Sequence, residues 1–149
     1  IDVTHLDAHM GLMQLDADLF DVYLDLAVEY DLPLRMISAS GQRALGFPAR
    51  ERAADRGVLH PDHLVFTYLD ARPILERAVA NLRPGVTEIM LHPALDSPDL
   101  RAGFPDAGER VANHVFATDP DGLAALIAKH GVTLVGYREM RDLQRSERR

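Results

Sequence analysis

Cysteine is absent from the 149-residue sequence. That excludes disulfides, thiolate metal sites and cysteine nucleophiles. Long apolar runs are absent as well. The apolar stretches are broken by charge, as in Leu24-Asp25-Leu26, and none approaches the roughly 20 residues that span a bilayer. No membrane partner is expected. Nor is there a basic segment followed by an apolar one near Ile1, so no secretory signal is visible in these residues. A cytoplasmic location is the reading that fits, with any segment upstream of Ile1 left open. Positive charge is scarce: Lys and Arg total 16 against 23 Asp and Glu, for a net charge of -7. Such a balance argues against general nucleic-acid binding. The one basic cluster, Arg138 to Arg149, is mixed with acids and reads as a solvated helix end. Repeats and low-complexity segments are missing too. So are a Gly-x-Ser-x-Gly elbow and a phosphate-binding glycine loop, which makes serine-hydrolase and nucleotide-binding readings poor.

What is present is an alternation of short β-like runs with helical ones, at an ordinary hydrophobic share of 47%. Alternation of this kind indicates an α/β protein with parallel strands and outer helices. Ile1 to Ala8 reads as a first strand. A helix follows, with Leu15, Leu19, Val22, Leu26 and Tyr30 on one apolar face and Asp16 and Asp18 at its positive end. Pro33 ends that segment, and Leu34 to Ile37 reads as a second strand. Ser38 to Asp62, rich in Gly, Pro, Arg and Ala, reads as a long loop with one helical turn. Leu64 to Tyr68 is a third candidate strand. Asp70 is placed to cap a helix carrying Ile74, Ala78 and Leu82. Val86 to Leu91 is a further strand, and Pro93 to Pro105 a second long loop. Helices are expected near Asp106 to Ala117 and Pro120 to His130, the latter closed by Gly131. Val132 to Val135 reads as a last strand and Arg138 to Arg145 as a last helix. Four or five strands are too few for a closed eight-stranded barrel.

Two segments carry chemistry. In Thr4-His5-Leu6-Asp7-Ala8-His9, strand alternation puts His5, Asp7 and His9 on one face, at the C-terminal end of a strand, where parallel α/β folds build their sites. Imidazole and carboxylate suit Zn²⁺ and similar ions, and a neighbouring carboxylate often orients a ligating His. Three ionisable groups on one strand face are costly to bury as mere packing. In Glu88-Ile89-Met90-Leu91-His92-Pro93, a His again stands where a strand meets a loop, with Glu88 on the same face. An imidazole titrates near neutrality, so His92 suits acid–base work; a capping or packing role is the plain alternative. His60 and His63 flank Pro61-Asp62 and read as exposed loop residues. His114 and His130 fall on predicted helices. Arg35 is placed to pair with Asp7 or Glu88, or to meet a substrate.

Together the two segments resemble motifs of the YdjC-like carbohydrate deacetylases. Thr4 to His9 resembles the family's Thr-His-x-Asp-Ser-His, with Ala8 in place of Ser. Glu88 to Pro93 resembles its Glu-x-Met-x-His-Pro. The ending Gly131 to Glu139 is similar to the family's last strand and turn. The resemblance implies a partial (β/α) barrel of the TIM type, with residues 1–149 as the C-terminal part of a single deacetylase-like domain. It implies a hydrolase that removes acetyl groups from N-acetylated sugars with a divalent metal, Mg²⁺ or Zn²⁺. Of these residues the resemblance makes His9 a metal ligand and His92 the proton donor; the shared strand face adds His5 as a second candidate ligand and Asp7 as the candidate catalytic carboxylate, in place of the two ligands and the base that the family carries further upstream. The family's N-terminal Asp-Asp-Phe-Gly strand and its Gly-x-His motif have no match here and would lie upstream of Ile1. On that reading residues 1–149 alone turn over no sugar. The open side of the Val3–His9 strand would be covered by upstream residues, by a cleaved N-terminal piece, or by a second copy in a homodimer. A metal-dependent phosphoesterase and a non-catalytic sugar-binding fragment are the alternatives.

Overall fold

The structure is a computed structural model that describes residues 1–67 and 70–147. Tyr68, the end of the expected third strand, and Arg148 and Arg149 of the basic tail lie outside the described residues. The chain forms two compact units, one from residues 1–64 with 135–149 and one from residues 65–134.

In the first unit, a 3₁₀ segment over His9–Gln14 leads into α1 (Ala17–Tyr30), followed by α2 (Ala39–Leu45) and α3 (Ala49–Asp55); α8 (Tyr137–Glu147) belongs to this unit as well. β1 (His63–Phe66) runs from this unit into the next. Capping explains where several helices start. The Asp16 carboxylate accepts from the backbone N–H groups of Asp18 and Leu19 at the head of α1, and the Ser38 hydroxyl accepts from Gly41 at the head of α2. Each satisfies helix donors that otherwise lack partners.

The parallel β-structure of this unit is thinner than the sequence suggests. Among the described residues, Ile1 to Ala8 joins a ladder at Leu6 alone, by its parallel bridge with Leu34. Leu6 N–H donates to Pro33 O, Arg35 N–H donates to Leu6 O, and Leu34 N–H donates onward to Leu59 O. The expected strand Leu34 to Ile37 is likewise confined to that bridge. The expected loop from Ser38 to Asp62 instead holds α2 and α3. Its alanines were the missed signal: Ala49 and Ala53, four apart on α3, are both buried in the core.

The core of this unit gathers Ala8, Phe20, Tyr23, Leu24, Ala27, Leu34, Met36, Ala49, Ala53 and Val58. It corrects the expected inner face of α1. Leu15, Leu19, Val22, Leu26 and Tyr30 are exposed, whereas Phe20, Tyr23, Leu24 and Ala27 face inward. The helix is apolar around most of its circumference, so two stripes satisfy the helical period and only packing chooses between them.

α8 is also more than a solvated end. Gln144 is 1% exposed; its Oε1 accepts from Leu59 N–H at 2.7 Å and its Nε2 donates to Asp31 Oδ1 at 2.9 Å. Arg141, buried as a side chain, donates to the Asp2 carboxylate and to Val3 O. Arg138 pairs with the same carboxylate. These two guanidiniums hold the Asp2 carboxyl below its usual range, Arg138 contributing most.

The second unit holds α4 (Ala71–Ala80), β2 (Thr87–Met90), α5 (Pro98–Gly103), α6 (Ala107–Thr118) and α7 (Leu123–Lys129). β1 and β2 pair in a two-stranded parallel sheet joined through α4. Asp70 caps α4 as expected, accepting from Arg72 N–H, and the buried Asn113 of α6 accepts from Ala71 N–H. Ala71, Leu75 and Phe116 form the core, flanked by Val65, Ile89, Leu91, Leu123 and Leu126. Gly122 has no substitute here, because a Cβ at that position would sit 2.1 Å from the Phe116 carbonyl oxygen. Gly131 closes α7 with φ +63°, a conformation cheap only for glycine. The expected strand Val132 to Val135 is irregular chain; Leu134 and Val135 are exposed, and no described strand pairs with them. The second loop contains the short α5, capped by the Ser97 hydroxyl.

No helix among the described residues is long and apolar enough to cross a membrane.

Candidate functional site

The first motif lies in the first unit, on extended chain that turns at His9 into the 3₁₀ segment. Leu6 and Ala8 face the core of that unit, and Ala8 is 8% exposed within it. The His5 ring stacks on Tyr137, with centroids 3.9 Å apart and planes 8° from parallel. Its Nδ1 shares a hydrogen bond of 3.0 Å with the Thr4 hydroxyl. Asp7 is exposed and accepts from Arg35 Nη1 at 2.6 Å, the pairing foreseen for Arg35. His9 is exposed. The turn after it is backbone that L residues rarely adopt: Met10 has φ +59° and Gly11 φ +68°. For Met10 this costs about 1–2 kcal/mol, and strain of this kind concentrates at functional sites.

The metal expectation can be set against this geometry. Among the described residues, no three His, Asp or Glu side chains converge to hold an ion. A catalytic zinc usually has three protein ligands, so His5, Asp7 and His9 do not by themselves make one. His5 is engaged by a ring and a hydroxyl, and Asp7 by a guanidinium.

The second motif lies in the second unit, at the end of β2. His92 Nδ1 lies 3.1 Å from Thr67 O, and the ring meets Phe66 edge-on at 5.8 Å and 74°. Glu88 stands on β2 itself. Asp106, at the head of α6, is held below the usual carboxylate range, chiefly by Arg110 and to a smaller extent by the charge of His92. Arg110 in turn lies over Phe104, 5.0 Å from the ring centre. Nothing in the sequence marks Thr67 or Asp106, which come to His92 from other elements.

His60 and His63, expected in exposed loop, are both partly buried in the structure. His60 Nδ1 lies 3.1 Å from Pro61 O. Arg50 donates to Ile37 O, Pro61 O and Asp62 O. Burial lowers the His60 pKa from its ordinary 6.5, reinforced by Arg50 and opposed by the Pro61 carbonyl and Asp62. Below pH 6.5 the unfolded chain therefore binds a proton at this site that the folded chain resists. Stability falls as the solution is acidified from pH 7 through this window. Urea unfolding at pH 7, 6 and 5 should show a declining midpoint, and His60→Asn should flatten the decline. An equal decline in both proteins would remove His60 as its source.

Comparison with known proteins agrees with the motif reading. The YdjC-like protein family matches residues 1–128, a span that includes both motifs. A carbohydrate deacetylase of Geobacillus stearothermophilus is 31% identical over 94% of this chain and 53% of its own length. One from Thermoanaerobacter pseudethanolicus is 25% identical over 92% of this chain and 52% of its own. This chain thus spans about half the length of these relatives. The crystal structure of a protein described as a cellobiose-phosphate cleavage protein, from Enterococcus faecalis V583, superimposes with a TM-score of 0.71 at 24% identity. That overlap covers 92% of this chain and 52% of the other. On the family match over residues 1–128, the chain belongs to the YdjC-like protein family.

Proposed function

We propose that these residues form part of a metal-dependent carbohydrate deacetylase, a hydrolase that cleaves the amide of an N-acetylated sugar or oligosaccharide. The observation that carries the reading is the alignment with two carbohydrate deacetylases over nearly the whole chain. The proposed frame is a (β/α) barrel to which residues 1–149 contribute the C-terminal part. In amide hydrolysis water attacks the acetyl carbonyl, the C–N bond breaks, and the amine must leave protonated. His92 is the proposed donor of that proton. Nδ1 bonded to a carbonyl must carry hydrogen, since a carbonyl oxygen only accepts. In the imidazolium, Nε2 then gives up its proton while Nδ1 keeps its own. Asp7 is the proposed carboxylate for the attacking water, and its partner Arg35 holds it in place. A divalent ion, Mg²⁺ or Zn²⁺, would polarise the acetyl carbonyl, with His9 and His5 as its candidate ligands from this chain. The described residues alone do not complete such a site.

The test is acetate release from N-acetylglucosamine oligomers by the full gene product, with Mg²⁺ or Zn²⁺ and after chelation. Release that stops on chelation and returns with one of the ions supports the proposal. Absence of acetate under all conditions, with hydrolysis of sugar phosphates instead, would replace it by the phosphoesterase reading.

A further inference from the structure

We infer that Thr67 is a positioning residue for His92: its backbone carbonyl fixes the imidazole with hydrogen on Nδ1, and its hydroxyl holds that carbonyl in place. The inference rests on the proton-donor reading of His92, and the geometry beneath it is specific. Thr67 follows the last residue of β1 and is 0% exposed. Its Oγ1 donates to Met90 O at 2.8 Å, and Met90 is the last residue of β2, two positions before His92. One residue thus makes two links in the same place. The hydroxyl joins the end of β1 to the end of β2, where the regular ladder stops. The carbonyl meets His92 Nδ1 at 3.1 Å. Phe66, the residue before it, contributes the ring that meets the imidazole edge-on. Two adjacent residues therefore restrain His92 by an acceptor and by a wall.

The consequence concerns the tautomer. Neutral imidazole in water favours hydrogen on Nε2. Accepted by a carbonyl, Nδ1 must carry the hydrogen instead. Nε2 becomes the nitrogen that takes up and returns a proton as pH changes. A buried threonine could serve packing alone, so the two roles must be separated by chemistry. Thr67→Val keeps the shape and removes only the donor to Met90 O. Thr67→Ser restores the donor and removes a methyl.

The experiment is ¹⁵N imidazole spectroscopy on the labelled full gene product, with the His92 signals identified by their loss in His92→Gln. At a pH where His92 is neutral, the wild type should show the Nδ1–H pattern. Thr67→Val should show a mixture of tautomers, and Thr67→Ser the wild-type pattern again. In the full gene product, Thr67→Val should lower kcat about tenfold with KM within about twofold, and Thr67→Ser should recover most of the loss. An Nε2–H pattern in the wild type overturns the inference without any variant having to fold. So does an unchanged pattern in Thr67→Val, or a Thr67→Ser that behaves like Thr67→Val. If the full gene product releases no acetate at all, the deacetylase reading fails, while the tautomer spectra still decide the role of Thr67.

Discussion

Changing His92 to Gln is expected to reduce acetate release by the full gene product about 100- to 10,000-fold, the range that a positioned acid or base contributes. Glutamine keeps much of the size and a hydrogen-bonding head, so the link toward Thr67 O, 3.1 Å from Nδ1 in the parent, can be kept by its amide. What it lacks is a ring nitrogen that can give up a proton and take it back. The leaving amine must then depart unassisted. Metal content separates this role from that of a ligand. A variant that loses activity but keeps its metal assigns His92 to proton transfer. Loss of both together would make it a ligand, and loss of neither would remove it from the reaction. The KM should change little, because the proton is delivered in the transition state rather than in the bound ground state.

The second large effect is on stability. Gln144→Leu should cost about 1–3 kcal/mol, because it strands the Leu59 N–H and takes one partner from the Asp31 carboxylate. In the parent, Gln144 Oε1 accepts from Leu59 N–H and Nε2 donates to Asp31 Oδ1. Leucine fills similar space but serves neither. The Leu59 N–H is the sharper loss: Leu59 O already accepts from Leu34 N–H, so this segment sits inside the small β-structure of its unit. Asp31 retains the guanidinium of Arg145, which lies 3.9 Å away. Urea denaturation at neutral pH measures the difference. A change under about 0.5 kcal/mol, the usual range for surface substitutions, would mean that water replaces the lost partner.

Much of this could be read from sequence because it depends on local rules. Asp16, Ser38 and Asp70 head helices as caps, and Gly131 ends one; of these only Ser38 was taken for loop, because α2 after it is a mere seven residues long. The two histidine motifs were identifiable because strand-to-loop junctions with ionisable residues are uncommon. What failed were judgements that only packing decides. The stripe Leu15, Leu19, Val22, Leu26 is as regular as the one that is buried, and no local rule prefers Phe20 and Tyr23. Strand length was overestimated at Ile1–Ala8 and Val132–Val135, because β-branched composition reports suitability for a strand while a ladder needs a neighbour. The His92 surroundings were hidden for a different reason. Thr67 and Asp106 lie 25 and 14 positions away in sequence, and nothing in either residue marks it as a partner. Arg50 and His60 were likewise taken for loop residues because the carbonyls they meet leave no mark in side-chain pattern.

The placement of α8 has a consequence for the order in which the molecule is made. Synthesis is vectorial, and residues 65–134 emerge as one uninterrupted stretch with their own core of Ala71, Leu75 and Phe116. The unit begun first is finished last. Asp2, Val3, Asp31 and Leu59 wait on the ribosome for Arg141 and Gln144, which are translated after everything they hold. A premature stop within α8 therefore removes the partners of Asp2, Val3, Asp31 and Leu59, while residues 65–134 keep all of their own.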